Sequence, residues 1–243
     1  MALIAVLAAG VASANPTVAE TLVGIGQGNR VTLQSALWFR HEPGVETRVL
    51  LDGVVGIDFG GQAQAFGGLS VSALNNPGIA HYGIGGRVVA LDPIRLGLQV
   101  QANHDEWSDW QIGENRIGAA IFVRPLSTLD LAVGLAWRLP LFIADQYHSP
   151  FVWTSEAAEL NYLYRVDWTF LRRKDLALGI WVANYDLFTI RNPAQIPFGV
   201  SSGCWAGHHC WLSARLGSDI KGLSGLLLSL GELDGQVGVL YAF

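Results

Sequence analysis

Charge is scarce in this sequence, and lysine is scarcer still. Only 14% of the 243 residues are charged, and Lys174 and Lys221 are the only lysines among 15 basic residues. The formal net charge of −5 argues against a nucleic-acid-binding protein, which needs a basic surface. The other cations are arginines, whose planar guanidinium suits fixed, hydrogen-bonded positions better than a mobile solvated surface. The sequence therefore predicts that its cations belong to ordered structure.

Long apolar runs are also absent, although 51% of the residues are hydrophobic and 29 are glycine. No window approaches the roughly 18 uninterrupted apolar residues that a membrane-spanning helix needs. A chain this apolar must therefore bury its apolar surface in strands. Within lipid, only a closed barrel pairs the N–H and C=O groups of every strand.

Alternation of apolar and polar residues recurs along almost the whole chain and predicts strands. We expect twelve, at about 31–40, 48–59, 64–74, 79–91, 95–104, 116–124, 129–138, 159–171, 175–187, 209–217, 224–230 and 236–243. The connections alternate in length. Short turns are expected at 60–63, 92–94, 125–128, 172–174 and 218–223, and the longest loops at 105–115, 139–158 and 188–208.

The segment Gly235–Phe243 places Val237, Val239, Tyr241 and Phe243 on one face of a strand. A terminal strand ending on phenylalanine resembles the C-terminal strand of bacterial outer-membrane β-barrel proteins. The resemblance implies an all-β, up-and-down, transmembrane antiparallel barrel of about twelve strands. It also implies a location in the outer membrane and recognition by the barrel-assembly machinery. The alternative from the pattern alone is a soluble β-sandwich or soluble barrel.

The N-terminal segment 1–14 is apolar and ends in Ala12-Ser13-Ala14, the small-x-small pattern of a signal-peptidase site. We therefore expect a signal peptide at 1–14, a periplasmic lead-in at 15–30 and one barrel domain at 31–243. The alternative is a short apolar helix that stays attached.

The strand face opposite the apolar one carries charged and amide residues between glycines and alanines. Such charges cannot face hydrocarbon, where one arginine at the midplane costs roughly 2 to 4 kcal/mol. They predict either a narrow pore that selects small anionic or zwitterionic solutes, or an ion-paired plug that makes the wall rigid. The predicted lumen-lining set is Arg40, Asp52, Asp58, Arg87, Arg95, Gln99, Gln101, Asp130, Arg138, Glu159, Arg165, Asp167 and Arg215.

The loop at 103–115 is a second candidate site. His104 and Ser108 are candidates for hydrolysis, but their spacing of four residues is about 13 Å along an extended strand, and outer-membrane phospholipases have a closer His-x-Ser spacing. Four carboxylates in the same loop are candidates for Ca²⁺ ligands, but their spacing does not match an EF-hand. These are Asp105, Glu106, Asp109 and Glu114.

Cys204 and Cys210 are the only cysteines. In an exported protein they predict a disulfide that closes a short loop. With His208 and His209 they could instead form a zinc site, although adjacent strand residues point in opposite directions.

The sequence as a whole predicts an outer-membrane channel without a cofactor, in contact with outer-membrane lipid and lipopolysaccharide, that passes small hydrophilic solutes. Two alternatives remain open. One is a hydrolase of lipid or lipopolysaccharide, and the other is a non-conducting structural or adhesin-type barrel that acts through its outer loops. The barrel fold accommodates all three functions and does not choose among them.

Overall fold

The computed structural model describes residues 30–41, 48–60, 62–72, 78–91, 94–106, 112–142, 152–153, 159–173, 176–188, 196–206, 210–221 and 229–243. The expected signal peptide and nearly all of the expected lead-in lie outside these residues. No helix long and apolar enough to cross a membrane occurs in the described part of the chain.

The described chain is built from β-strands that succeed one another along the sequence. Their bounds are β1 Arg30–His41, β2 Arg48–Phe59, β3 Ala63–Ser72, β4 Gly78–Leu91, β5 Leu96–Glu106, β6 Ile112–Leu126, β7 Leu129–Phe142, β8 Val152–Trp153, β9 Glu159–Arg173, β10 Leu176–Ala183, β11 Ile196–Trp205, β12 Cys210–Lys221 and β13 Ser229–Ala242.

Twelve of these strands close into one antiparallel barrel. Consecutive long strands pair with each other throughout, and β1 pairs with β13 to close the sheet. The two-residue β8 pairs only with the end of β7. The fold class predicted from the sequence is therefore confirmed.

The predicted count of twelve was correct only because two errors cancelled. The strand Ile196–Trp205 was expected to be loop, since its proline and glycines are typical of turns. Conversely, the strands expected at 224–230 and 236–243 correspond to a single strand, Ser229–Ala242, and the loop expected between them is part of its ladder. Residues 224–228 lie outside the described residues.

The two ends of the barrel differ in the length of their connections. At the end where β1 begins and β13 ends, here called the terminal end, the connections are two to four residues long; at the opposite end they are five to sixteen. One short turn contains Gly60, whose φ of 67° lies in the left-handed region that glycine adopts without steric cost. The turn expected at 218–223 is wrong, because the connection after β12 lies at the opposite end. The fifth short connection at the terminal end instead joins β11 to β12 and is four residues long.

Side chains alternate between the two faces of the wall, as a strand period of two requires. On β7, Val133 and Trp137 are 64% and 58% exposed, whereas Ala132 and Ala136 are buried. The large apolar residues therefore point outward, which excludes the soluble sandwich. Exposed aromatic residues on this outer face include Phe39, Phe59, Trp137, Tyr241 and Phe243.

Candidate functional site

The inner face of the barrel carries most of the predicted lumen-lining residues. Residues 40 and 159 lie on β1 and β9, but their side chains lie outside the described part. Arg95, Asp130, Arg138 and Arg215 are half-buried. The buried members are Asp52, Asp58, Arg87, Gln99, Gln101, Arg165 and Asp167. Their role in selecting solutes stays a prediction.

Four of the buried polar residues form a continuous row across neighbouring strands. Asp58 on β2 lies directly opposite Gln64 on β3. Gln64 lies opposite Arg87 on β4, which in turn lies opposite Gln99 on β5. Arg87 donates two hydrogen bonds to Gln99 Oε1, at 3.2 Å from Nε and 2.8 Å from Nη2. This row fixes the Arg87 guanidinium against the wall.

The chain turns into the lumen directly after β10, although residues 184–187 were expected to continue that strand. The cause is Asn184. Its Nδ2 donates to Tyr162 O at 2.7 Å, and its Oδ1 accepts from Tyr164 N at 2.8 Å. The Asn184 N–H still donates to Tyr164 O at 3.2 Å, but its side chain makes the other two bonds to β9, so the backbone beyond Asn184 is free to leave the wall. We call residues 184–188 the inward segment.

The inward segment reaches the far wall of the barrel. Gln101 Nε2 on β5 donates to Asp186 O at 2.7 Å, and the Leu187 carbonyl lies against Gly83 on β4. Between β10 and β4 lie four strands in one direction around the barrel and six in the other. Contact between these two walls therefore requires the segment to cross the interior.

Apolar side chains anchor the inward segment at both walls. Tyr185 packs in a buried cluster with Phe122, Leu163 and alanines of β6 and β7. Leu187 and Phe188 pack in a second cluster with residues of β1, β2 and β3. Leu187 is fully buried. The lumen is thus divided by an ordered crossing element, which sequence analysis missed because its contacts join residues far apart in the chain.

On the terminal side of the inward segment is a cavity with about 320 Å³ of empty space, including its open mouth. We call it the terminal chamber. Arg124 Nε forms a salt bridge with Asp130 Oδ1 at 2.5 Å, and Arg165 Nε forms a salt bridge with Asp167 Oδ2. Four arginines face this one space, and its lining consists of Arg87, Arg95, Phe122, Arg124, Asp130, Leu131, Ala132 and Arg165.

On the other side is a cavity with about 450 Å³ of empty space, again including its open mouth. We call it the distal chamber. Its charged lining residues are Asp186, Asp234 and Arg215, and Trp38 and Trp181 supply aromatic surface. Asp234 belongs to β13, in the stretch that was wrongly expected to be a loop. Correct strand boundaries would have revealed it on the inner face.

Each chamber contains an arginine stacked on an aromatic ring. Arg87 Cζ lies 4.3 Å from the ring centre of Phe122, and Arg215 Cζ lies 4.1 Å from that of Trp181. Both rings lie so close to a glycine, Gly97 and Gly217 respectively, that a Cβ there would overlap the ring. The glycines therefore leave room for the aromatic rings against the wall.

Several other inner-face polar residues share the same alternation but are absent from the predicted lumen-lining set. Arg124 is the most informative, because it belongs to the terminal chamber. The signal was present in the period-2 phase of each strand. Other members are Gln34, Gln64, Asn103 and Arg116, all of them buried.

The hydrolase candidates are only partly described. His104 Nδ1 lies 2.9 Å from Asn115 Oδ1, and the His104 ring stacks on Tyr82 with a centroid distance of 4.8 Å. These side chains lie on the outer face, near the end of β5. Ser108 lies outside the described residues.

The metal and disulfide candidates remain predictions. Asp109 is outside the described residues, as are the side chains of Asp105, Glu106 and Glu114. Cys204 and Cys210 lie at the terminal end, on β11 and β12, rather than in a long loop at the opposite end. Both thiols are free in the structure and half-buried.

Comparison with known proteins supports the fold. No family model and no curated protein matches the chain. The KdgM porin in complex with disordered oligogalacturonate is 11% identical over 87% of this chain and 99% of that one, with a TM-score of 0.53. The translocator domain of autotransporter NalP from Neisseria meningitidis is 19% identical over 90% of each chain, with a TM-score of 0.52. The outer membrane protein Omp33 of Acinetobacter baumannii is 10% identical over 90% of this chain and 100% of that one, with a TM-score of 0.51. The chain therefore shares the fold of bacterial outer-membrane barrels.

Proposed function

We propose that this protein is an outer-membrane channel that passes small hydrophilic solutes and favours anions. One observation carries the proposal: a closed barrel exposes its apolar residues outside while it directs arginines, aspartates and glutamines inside. Membrane barrels show this arrangement, with an apolar outer band and a polar interior. The KdgM porin among the similar structures supports the same class of function.

The proposed location follows from the outer surface. Exposed aromatic and aliphatic side chains suit contact with lipid and lipopolysaccharide, with aromatic residues at the strand ends. Phe243 is 65% exposed beside Tyr241, where its ring is accessible to the assembly machinery proposed to recognise this strand.

The inward segment makes the proposed channel narrow. In the proposed channel a solute passes beside the contact between Asp186 and Gln101, where the inward segment crosses the lumen. The charges on both sides of this point are therefore close to any permeating ion. Buried or partly buried charges are screened less by salt than exposed ones.

The test is single-channel conductance of purified, folded protein in a planar bilayer at two salt gradients. We expect steady steps whose reversal potential shows a preference for anions. Silence from protein that migrates as a folded barrel on a gel would contradict the channel.

A second candidate function, ester hydrolysis at the membrane surface, is favoured by the His104–Asn115 contact. A histidine held by an amide on one ring nitrogen is oriented to act as a general base through the other. Release of fatty acid from mixed lipid micelles, abolished by His104→Ala and retained by the outer-face control Val200→Ala, would support a hydrolase. The absence of release under every detergent condition would exclude it.

A further inference from the structure

We propose that the terminal chamber is a binding site for a small oxyanion bearing a carboxylate or phosphate group. This inference deepens the proposed function, because it names the solute chemistry and places a saturable site within the lumen. It rests on three observations: the charge of the lining, the backbone of Arg95, and the way in which the guanidiniums are held.

The first observation is an excess of positive charge. Arg87, Arg95, Arg124 and Arg165 line the chamber together with Asp130, and Asp167 is bonded to Arg165. Four guanidiniums and two carboxylates leave two positive charges around one cavity. The Arg165 side chain is only 2% exposed. The residues that line the chamber, taken with Asp167, therefore carry more positive than negative charge, and this excess attracts an anion.

Positive charge extends beyond the lining. Arg172 lies on β9, next to the turn before β10 and at the same end of the barrel as the terminal chamber. Arg172 also donates a long hydrogen bond to the Ser127 carbonyl, at 3.5 Å, which holds it beside the β6–β7 turn. Arg172 therefore adds a cation beside the β6–β7 hairpin, which carries Arg124 and Asp130 of the chamber.

The second observation concerns Arg95, in the turn between β4 and β5. Its φ is 48°, and it is the one non-glycine residue with a positive φ in the described part of the chain. A side chain in this conformation costs roughly 1 to 2 kcal/mol, which glycine would avoid. Arginine at this strained position directs a guanidinium to the chamber. Retained backbone strain is typical of functional positions.

The third observation is that the guanidiniums are ordered before any ligand arrives. Arg87 is fixed between the Phe122 ring and the Gln99 amide, and Arg124 is fixed by Asp130. An ordered guanidinium presents paired N–H groups that match carboxylate and phosphate oxygens. Because these side chains are already positioned, binding would lose little conformational entropy.

The experiment is isothermal titration of the folded protein in detergent micelles with sodium phosphate and, separately, with sodium malonate. Sodium chloride at matched ionic strength is the blank. We expect saturable binding of at least one of the two probes. Binding of phosphate alone, malonate alone or both would identify the preferred group, and each result supports the site. No saturable heat with either probe would overturn it.

Variants locate the site. Arg95→Gln should weaken binding by about tenfold, as expected for one hydrogen bond to a charged group. Arg95→Gly should weaken it similarly while relieving the backbone strain, so that loss of binding is not loss of folding. The control is Arg173→Gln, which removes one exposed arginine at the same end of the barrel. Equal weakening by the control would overturn the site, because it would indicate only general charge attraction.

Conductance and titration of the same preparations distinguish failure of the oxyanion site from failure of the channel. Saturable binding by protein that never conducts would support the oxyanion site and contradict the proposed channel. Conductance without saturable binding would support the channel and contradict the site.

Discussion

The two chambers of the lumen are built in the same way but carry opposite charge. In each, an arginine stacks on an aromatic ring that packs against a glycine: Arg87 on Phe122 in the terminal chamber, and Arg215 on Trp181 in the distal chamber. The charged residues that line the distal chamber, Asp186, Asp234 and Arg215, sum to −1. Those of the terminal chamber and its bonded Asp167 sum to +2.

This comparison shows that the stacked arginine is a structural unit, whereas the surrounding charges give each chamber its character. Cation–π contacts contribute about 0.5 to 2 kcal/mol and do not depend on an acidic partner. The inward segment keeps the two charge environments apart, because it lies between them and contributes Asp186 to only one. A solute that crosses the lumen would meet the two environments in sequence.

The largest expected effect comes from removing the boundary between the chambers. Replacing Tyr185, Leu187 and Phe188 together by serine deletes the apolar anchors of the inward segment at both walls. We expect single-channel conductance to rise severalfold, since the segment no longer spans the lumen. The strand ladders are untouched, so the protein should still migrate as a folded barrel. An unchanged conductance would show that the segment does not limit flow.

A smaller effect is expected from changing charge in one chamber at a time. Asp130→Asn adds net positive charge to the terminal chamber, and Arg165→Gln removes it, so the two should shift anion preference in opposite directions. One unit charge about 4 Å from a permeating ion in bulk water is worth about 1 kcal/mol, or about fivefold in permeability ratio. Reversal potentials in a salt gradient measure both shifts. Shifts of the same sign would refute the assignment of charge to this chamber.

The smallest expected effect is a loss of stability when the glycine beside the stacked aromatic ring of either chamber is replaced. Gly97→Ala and Gly217→Ala each place a Cβ against the aromatic ring of one chamber and against backbone atoms. Overpacking of this kind costs about 1 to 3 kcal/mol, so we expect both variants to unfold at lower denaturant concentration by similar amounts. Gly53→Ala is the control, because a Cβ there meets nothing within 4 Å. Destabilisation of only one chamber's variant would show that the two units are not equivalent.

Much of the wall could be predicted from the sequence, because alternation is a local property. Bounds for β1, β2, β7 and β9 differ from the prediction by only a few residues. The strand Ile196–Trp205 could not be recognised in the same way, since Pro197, Gly199 and Gly203 are typical of turns. Gly199 and Gly203 are required there because the rings of Trp181 and Trp211 pack against them.

The candidate site was less predictable than the wall. Alternation identified inner-face residues such as Arg87 and Arg165, but it could not show which of them share a chamber. That depends on the inward segment, whose contact between Gln101 and Asp186 joins residues 85 positions apart. Its local cause is Asn184, whose side chain bonds to β9, and nothing in the alternation marks those bonds.

The seam between β1 and β13 has a consequence for how the barrel forms. Its ladder runs from Thr32 opposite Ala242 to His41 opposite Leu233. It therefore pairs the barrel strand that is synthesised first with the one that is synthesised last. Contacts of such high sequence separation form slowly. Until β13 is in place, β1 and β12 present open edges that can pair with other chains. We therefore expect the protein to be most prone to aggregation before β13 pairs with β1 and β12, when both edges of the eleven-stranded sheet are open.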